Sequence, residues 1–226
     1  MTHKLPYSFI CLLLSLVATP LLGHSQSSYY LEEQRTFYGG LAAGTNITQV
    51  DGDNYKGYYN FGLNAGGVLY MRLSDRILGS MEMLYVQKGA RGGINNSTIP
   101  GITLLNYRIR TDYAEVPVQV YYHDKHLNHF GAGFAYARLI NTIEEVESKP
   151  VYDFHTEDYP FKKHDISFLI GGSVHLWKGF FAIARFQYSI IEARGLTPNG
   201  IAWHGQYHNV CTFRLMYLFG TKRGDD

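Results

Sequence analysis

The sequence predicts an all-β protein, an eight-stranded antiparallel up-and-down transmembrane β-barrel with short periplasmic turns and long outer loops. Three observations predict it. Apolar and polar residues alternate with a period of two over about eight segments of roughly 11 to 16 residues, longer than the ~5–6 residues of soluble strands and enough for the ~9–11 of a tilted spanning strand. The connections between these segments alternate between short and long. Aromatic residues gather at the segment ends, where Tyr and Trp settle at the headgroup level of a bilayer.

Composition narrows the field further. Of 226 residues, 46% are hydrophobic and 15% aromatic, and only 17% are charged, against ~25% in an ordinary soluble domain. Disorder and a coiled coil are excluded by that mixture. The net charge of +1 lacks the basic excess of a nucleic-acid binder.

The chain opens on an export signal. His3 and Lys4 form a positive n-region, Leu5 to Leu22 an apolar h-region, and Gly23-His24-Ser25 a small-residue cleavage site, so residues 1–25 read as a signal peptide. Pro6 and Pro20 bracket a stretch shorter than the ~20 residues of a spanning helix. Removing Lys4 from the 20 basic residues leaves 19 against 19 acidic ones. Cys211 is then the single cysteine, which excludes an internal disulfide. Residues 26–35 read as an N-terminal segment, 36–220 as the barrel and 221–226 as a tail.

Each strand is justified by its alternation. The first, near Thr36 to Thr48, is rich in glycine. The second, Tyr58 to Leu73, sets Phe61, Leu63, Leu69 and Met71 against Asn60, Asn64 and Arg72. The third, Arg76 to Lys88, sets Met81, Met83 and Tyr85 outward against Ser80, Glu82 and Lys88 inward. In the fourth, Tyr107 to Tyr122, Ala114, Val116, Val118 and Val120 oppose Tyr113, Glu115, Pro117 and Gln119. Pro117 donates no ladder bond and must sit at a bulge or local break.

The fifth strand, Leu127 to Ile140, sets Phe130, Phe134 and Tyr136 against Gly131, Gly133, Ala135 and Ala137. The sixth, His164 to Trp177, sets Ile166, Phe168, Ile170 and Val174 against Asp165, Ser167 and Ser173. The seventh, Phe180 to Ile191, opposes Phe180 and Phe186 to Arg185 and Gln187. The eighth, His208 to Phe219, opposes Phe213, Leu215, Tyr217 and Phe219 to Thr212 and Arg214.

Short turns at Ser74-Asp75, Asp124-Lys125 and Lys178-Gly179 fall on one side of this array. Longer joins of about 9, 17, 22 and 14 residues fall on the other, as in outer-membrane barrels. Paired aromatics (Phe37 and Tyr38, Tyr58 and Tyr59, Tyr121 and Tyr122, Phe180 and Phe181, Tyr217 and Phe219) are expected to form two girdles.

Several segments resemble the PorT-like family of outer-membrane β-barrel proteins. They are Glu82-Met83-Leu84-Tyr85-Val86-Gln87-Lys88-Gly89, Tyr113-Ala114-Glu115-Val116-Pro117-Val118, Gly131-Ala132-Gly133 and Arg185-Phe186-Gln187-Tyr188. Met81 departs from the Pro that often precedes the glutamate, and Val116 and Val118 replace Ile and Leu. The resemblance implies an eight-stranded barrel in the outer membrane of a Gram-negative bacterium. It says little of activity; the family's namesake is an accessory of a secretion system for surface proteins.

Eight strands enclose just enough room for side chains, so the strand registers place Glu82, Glu115, Asp165, Arg185 and Arg214 in a closed lumen. There they are expected to pair as a charge lattice, because isolated buried ions are very costly. An ion or proton path is the functional alternative. His123, His126 and His129 flank a turn at a spacing that does not converge on one strand face, which argues against a metal site.

Ser173 and His175 share an inward face, and some lipid-modifying barrel enzymes use such a pair. No orienting third group near the loops accompanies them. The segment Asn141 to Lys163 is acidic and aromatic. Glu144, Glu145, Tyr152, Phe154, Tyr159 and Phe161 make it a candidate partner-contact loop, and its acids could alternatively bind calcium. Asn46-Ile47-Thr48 and Asn95-Asn96-Ser97 match the glycosylation acceptor pattern, which a bacterial barrel would not use.

The expectation is an outer-membrane barrel without catalytic activity or cofactor, structural or accessory in role. Its expected partners are outer-membrane lipid, the barrel-assembly machinery during insertion, and an envelope or secretion-complex protein. The rival readings are a small lipid-modifying barrel enzyme and a soluble periplasmic lipid carrier.

Overall fold

Eight long antiparallel strands close into one ring. The computed structural model describes residues 36–53, 57–96, 99–124, 128–154, 158–195 and 202–219, so the expected signal peptide, N-terminal segment and C-terminal tail lie outside the described residues. The strands are β1 (Phe37–Asp53), β2 (Asn60–Arg72), β3 (Ile77–Gly92), β5 (Thr103–His123), β6 (His129–Lys149), β7 (His164–Trp177), β8 (Phe180–Ser189) and β9 (Ala202–Leu218). A two-residue β4 (Asn95–Asn96) adds to the outer end of β5. Each long strand pairs with the next long strand along the chain, β3 with β5 past the short β4, and β1 pairs with β9, so the ring leaves no edge at its waist. No helix among the described residues is long and apolar enough to cross a membrane, which bears only on helical spans.

The direction of the alternation is that of a membrane barrel. Phe61, Met83, Val118, Val120, Phe130, Phe134, Phe213 and Leu215 are exposed on the outer wall, while Asn64, Glu82, Glu115, Asp165, Arg185 and Arg214 are buried inside. A soluble carrier needs the reverse, an apolar cavity under a polar wall; that reading is excluded by the buried charges.

The connections keep the expected asymmetry. Residues 73–76, 124–128 and 178–179 make the short joins, and 54–59, 93–102, 150–163 and 190–201 the long ones. The long joins are shorter than the sequence suggested, because the strands run further. β5 and β6 are each 21 residues long and rise above the rest of the wall. Glu144, Glu145 and Glu147 therefore stand on β6 rather than in a loop. The cause is a β-bulge: Asp112 pairs with Asn141 but Tyr113 with Leu139, so Ile140 is an extra residue that shifts the alternation by one.

Pro117 faces the lumen at a local break. The β3–β5 pairing runs at constant register but omits the rungs between Met81↔Val118 and Leu84↔Glu115, where proline has no N–H to give.

The aromatic girdles are real but differently populated. Phe37, Tyr122, Trp177, Phe180, Tyr217 and Phe219 ring the turn end outside, with Phe180 and Tyr217 centroids 4.8 Å apart. Tyr85, Tyr136, Tyr188 and Tyr207 mark the loop end. Adjacent aromatics on a strand point to opposite faces. Tyr121 and Phe181 are thus buried inside, and Tyr38 packs against them, rather than joining the girdle.

Candidate functional site

The lumen is filled in layers. At the turn end, Ala42, Val68, Tyr70, Tyr121, Phe181, Ile183, Met216 and Leu218 form an apolar plug. Above it Glu82 accepts from two arginines. Arg185 donates to both its oxygens at 3.1 and 2.7 Å, and Arg214 Nη2 lies 2.7 Å from each. Arg214 also donates to Asn64 (3.4 Å), and Arg185 to the Tyr121 hydroxyl (3.4 Å). Gln119 bonds the same hydroxyl.

Each arginine lies opposite a glycine. Gly44 pairs with Arg214 and Gly171 with Arg185. A Cβ built at Gly44 would sit 2.4 Å from the Arg214 Cα, and one at Gly171 2.6 Å from the Ala184 carbonyl oxygen. The glycines let the neighbouring strand carry its long side chain across a narrow lumen.

A second ionic layer follows. Lys88 Nζ is 2.8 Å from Glu115 and 3.0 Å from Asp165, all three side chains being fully buried. Gln187 donates to Glu115 (2.9 Å) and Ser167 to Asp165 (3.2 Å). The five charges placed inside from sequence thus fall into two groups, and Lys88 is the counter-ion that divides them. The alternation marks Lys88 as inward-facing, but nothing in the sequence says which acid a flexible lysine reaches. The lower layer carries one acid and two bases, the upper two acids and one base, so the column is neutral. Tyr113 and His208 share a hydrogen bond of 3.1 Å above Lys88.

The outer mouth is closed by a second apolar cluster of Ile102, Leu104, Tyr107, Ile109, Phe154, Phe161 and Ala193. Two members of the expected partner-contact loop, Phe154 and Phe161, are therefore buried in the seal and present no surface. Phe161 lies under the Arg194 guanidinium (4.0 Å to the ring), which pairs with Glu144 at 2.8 Å. Burial pushes the Glu144 carboxyl above the usual carboxylate range, against the opposing pull of Arg194. Glu145 faces Arg108 at 3.9 Å, with both side chains about half exposed, a contact of little energetic weight. Tyr152 is exposed and Tyr159 half-buried.

The Ser/His expectation is corrected in its partner. Ser173 shares a 2.9 Å hydrogen bond with His129, and His175 instead meets the Lys178 carbonyl oxygen at 2.6 Å. Ser173 and His129 are buried at the turn end, with His129 stacked on Phe181, on the side of the barrel away from the loops. His123 and His129 rings lie 6.1 Å apart; His126 is outside the described residues. No group of three His, Cys, Asp or Glu among the described residues is arranged to hold a metal.

Residues 25–193 match the family described as outer membrane protein beta-barrel domain. Among solved structures, the attachment invasion locus protein Ail of Yersinia pestis is 13% identical at a TM-score of 0.39, covering 82% of this chain and 100% of its own. The outer membrane protein AlkL is likewise 13% identical with a TM-score of 0.39, covering 88% and 99%. OprG of Pseudomonas aeruginosa is 11% identical with a TM-score of 0.38, covering 81% and 94%. No curated protein matches the sequence.

Proposed function

The chain belongs to the outer membrane protein beta-barrel family, and from that premise we propose that it is a non-catalytic barrel of PorT-like kind, an anchor or accessory for an envelope or secretion complex. It is exported by residues 1–25, inserted by the barrel-assembly machinery, and acts through its outer surface. One observation carries this reading: the lumen is occupied from end to end by two paired-charge layers between two apolar clusters. Such a column offers an ion no exchange of ligands, so a passage through the barrel is not favoured. The working surface is then the raised outer end of the β5–β6 pair and the join that follows it, where Ile143, Glu145, Glu147 and Tyr152 are exposed.

Two measurements test it. The purified protein in planar bilayers should give no conductance steps, and steady channel activity would contradict the closed lumen. A strain lacking the gene should lose surface-protein export. The wild-type gene should restore it, and the E145K/E147K variant should not. Full rescue by that variant would contradict action through the raised end of β6.

A further inference from the structure

We propose that Arg138, Lys163 and His164 form a binding site for the phosphate groups of the phosphorylated glycolipid in the outer leaflet. The inference rests on the barrel lying in the outer membrane with its long loops outside.

Height comes first. On β6 the outward residues Phe130, Phe134 and Tyr136 are apolar and exposed, and Arg138 is the next outward position. The stretch His129 to Ala137 has nine residues, the ~9–11 that cross a bilayer core, so Arg138 stands where that core ends. On β7 the outward row Val174, Ile170, Phe168 and Ile166 ends at His164 in the same way. Arg138 and His164 are cross-strand partners, and the Leu139 N–H bonds the Lys163 carbonyl at 2.9 Å, so the three residues sit together on one rim.

Charge comes second. Four acids near this rim are engaged elsewhere. Asp165 turns inward to Lys88, Asp112 is held by Arg110 at 3.0 Å, Glu145 faces Arg108, and Glu192 faces Lys162 at 3.4 Å. Glu147 is the fourth outward position above the bulge at Ile140 on β6. Among the described residues no carboxylate pairs with Arg138 or Lys163, and both are exposed. His164 Nδ1 is occupied by the Tyr136 hydroxyl at 2.6 Å, and their rings stack at 5.7 Å. That contact engages Nδ1 and leaves Nε2 as the second ring nitrogen.

Together these give a fork, a point charge and an imidazole above an apolar wall of Phe134, Tyr136, Ile166 and Phe168. An arginine fork matches phosphate oxygens in pairs, and the wall matches acyl chains. A phosphorylated lipid satisfies both halves, whereas an acidic peptide satisfies only the upper one.

The test uses the full mature barrel in phosphatidylcholine bilayers doped with lipid A, either bis-phosphorylated or dephosphorylated. The readout is the midpoint of thermal unfolding, followed by gel mobility. The bis-phosphorylated form should raise the midpoint by about 3 °C or more over the dephosphorylated form. R138Q/K163Q should abolish that increment while keeping the wild-type midpoint in dephosphorylated lipid. K178Q, a lysine on the opposite rim, should retain it. Equal midpoints for the wild type in both lipids, an increment that survives R138Q/K163Q, or the same rise from phosphatidylglycerol at matched charge would each overturn the proposal. Heat-modifiable mobility in every lipid reports that the barrel itself is inserted, so a failed site is distinguishable from a failed barrel.

Discussion

Glu82 holds two guanidinium groups with all three side chains buried, and this makes it the most sensitive side chain in the lumen. Converting it to an amide leaves both cations underpaired. E82Q should therefore lower stability by about 3–5 kcal/mol, read as a fall in the urea midpoint by intrinsic fluorescence. Replacing Glu82, Arg185 and Arg214 together by Leu or Met of similar volume should cost far less, because no ion is then stranded. If E82Q and the triple variant were equally destabilised, the loss would lie in packing volume rather than in charge pairing. Gly171→Val sets a branched side chain against the backbone of β8, and should cost about 1–3 kcal/mol by the same assay. The inward position of these groups was legible in the sequence, because a strand period of two assigns a face to every residue. Their partners were not. Which arginine meets which acid depends on shear around the ring, which no single strand records.

At the level of strands, the readable and unreadable parts divide at Ile140. Below it the alternation is unbroken, and the segment from Phe130 to Tyr136 faces as its pattern predicts. The bulge at Ile140 shifts the phase by one, so Asn141, Ile143, Glu145 and Glu147 point outward while Thr142, Glu144 and Val146 are half-buried. A phase break inside a strand looks like the end of a strand, which is why the acidic residues read as loop. For a similar reason Phe154 and Phe161 read as surface aromatics: only the folded loop shows the cluster they complete. The asymmetry of the connections fixes orientation and can be checked directly. In a C211S background, a cysteine at Val151, 97% exposed on the outer join, should react with an impermeant thiol reagent on intact cells. A cysteine at Asp75, whose side chain is 96% exposed in a short turn, should react only after the outer membrane is permeabilised. The reverse pattern would invert the molecule.

For the molecule as a whole, the near balance of charge acquires a structural meaning. Three acids and three bases cancel within the lumen, so a wall that is apolar outside encloses a polar but neutral interior. The low charged fraction, the glycines and the tyrosines follow from one geometry: a lipid-facing wall, a narrow crowded axis, and two interfacial rings. The most direct test of a closed barrel held in the outer membrane is the gel mobility of unheated and boiled samples of the outer-membrane fraction. A shift between them is predicted, since the hydrogen-bonded ring resists detergent until heated. Identical mobility, with the protein recovered in the soluble periplasmic fraction, would contradict it.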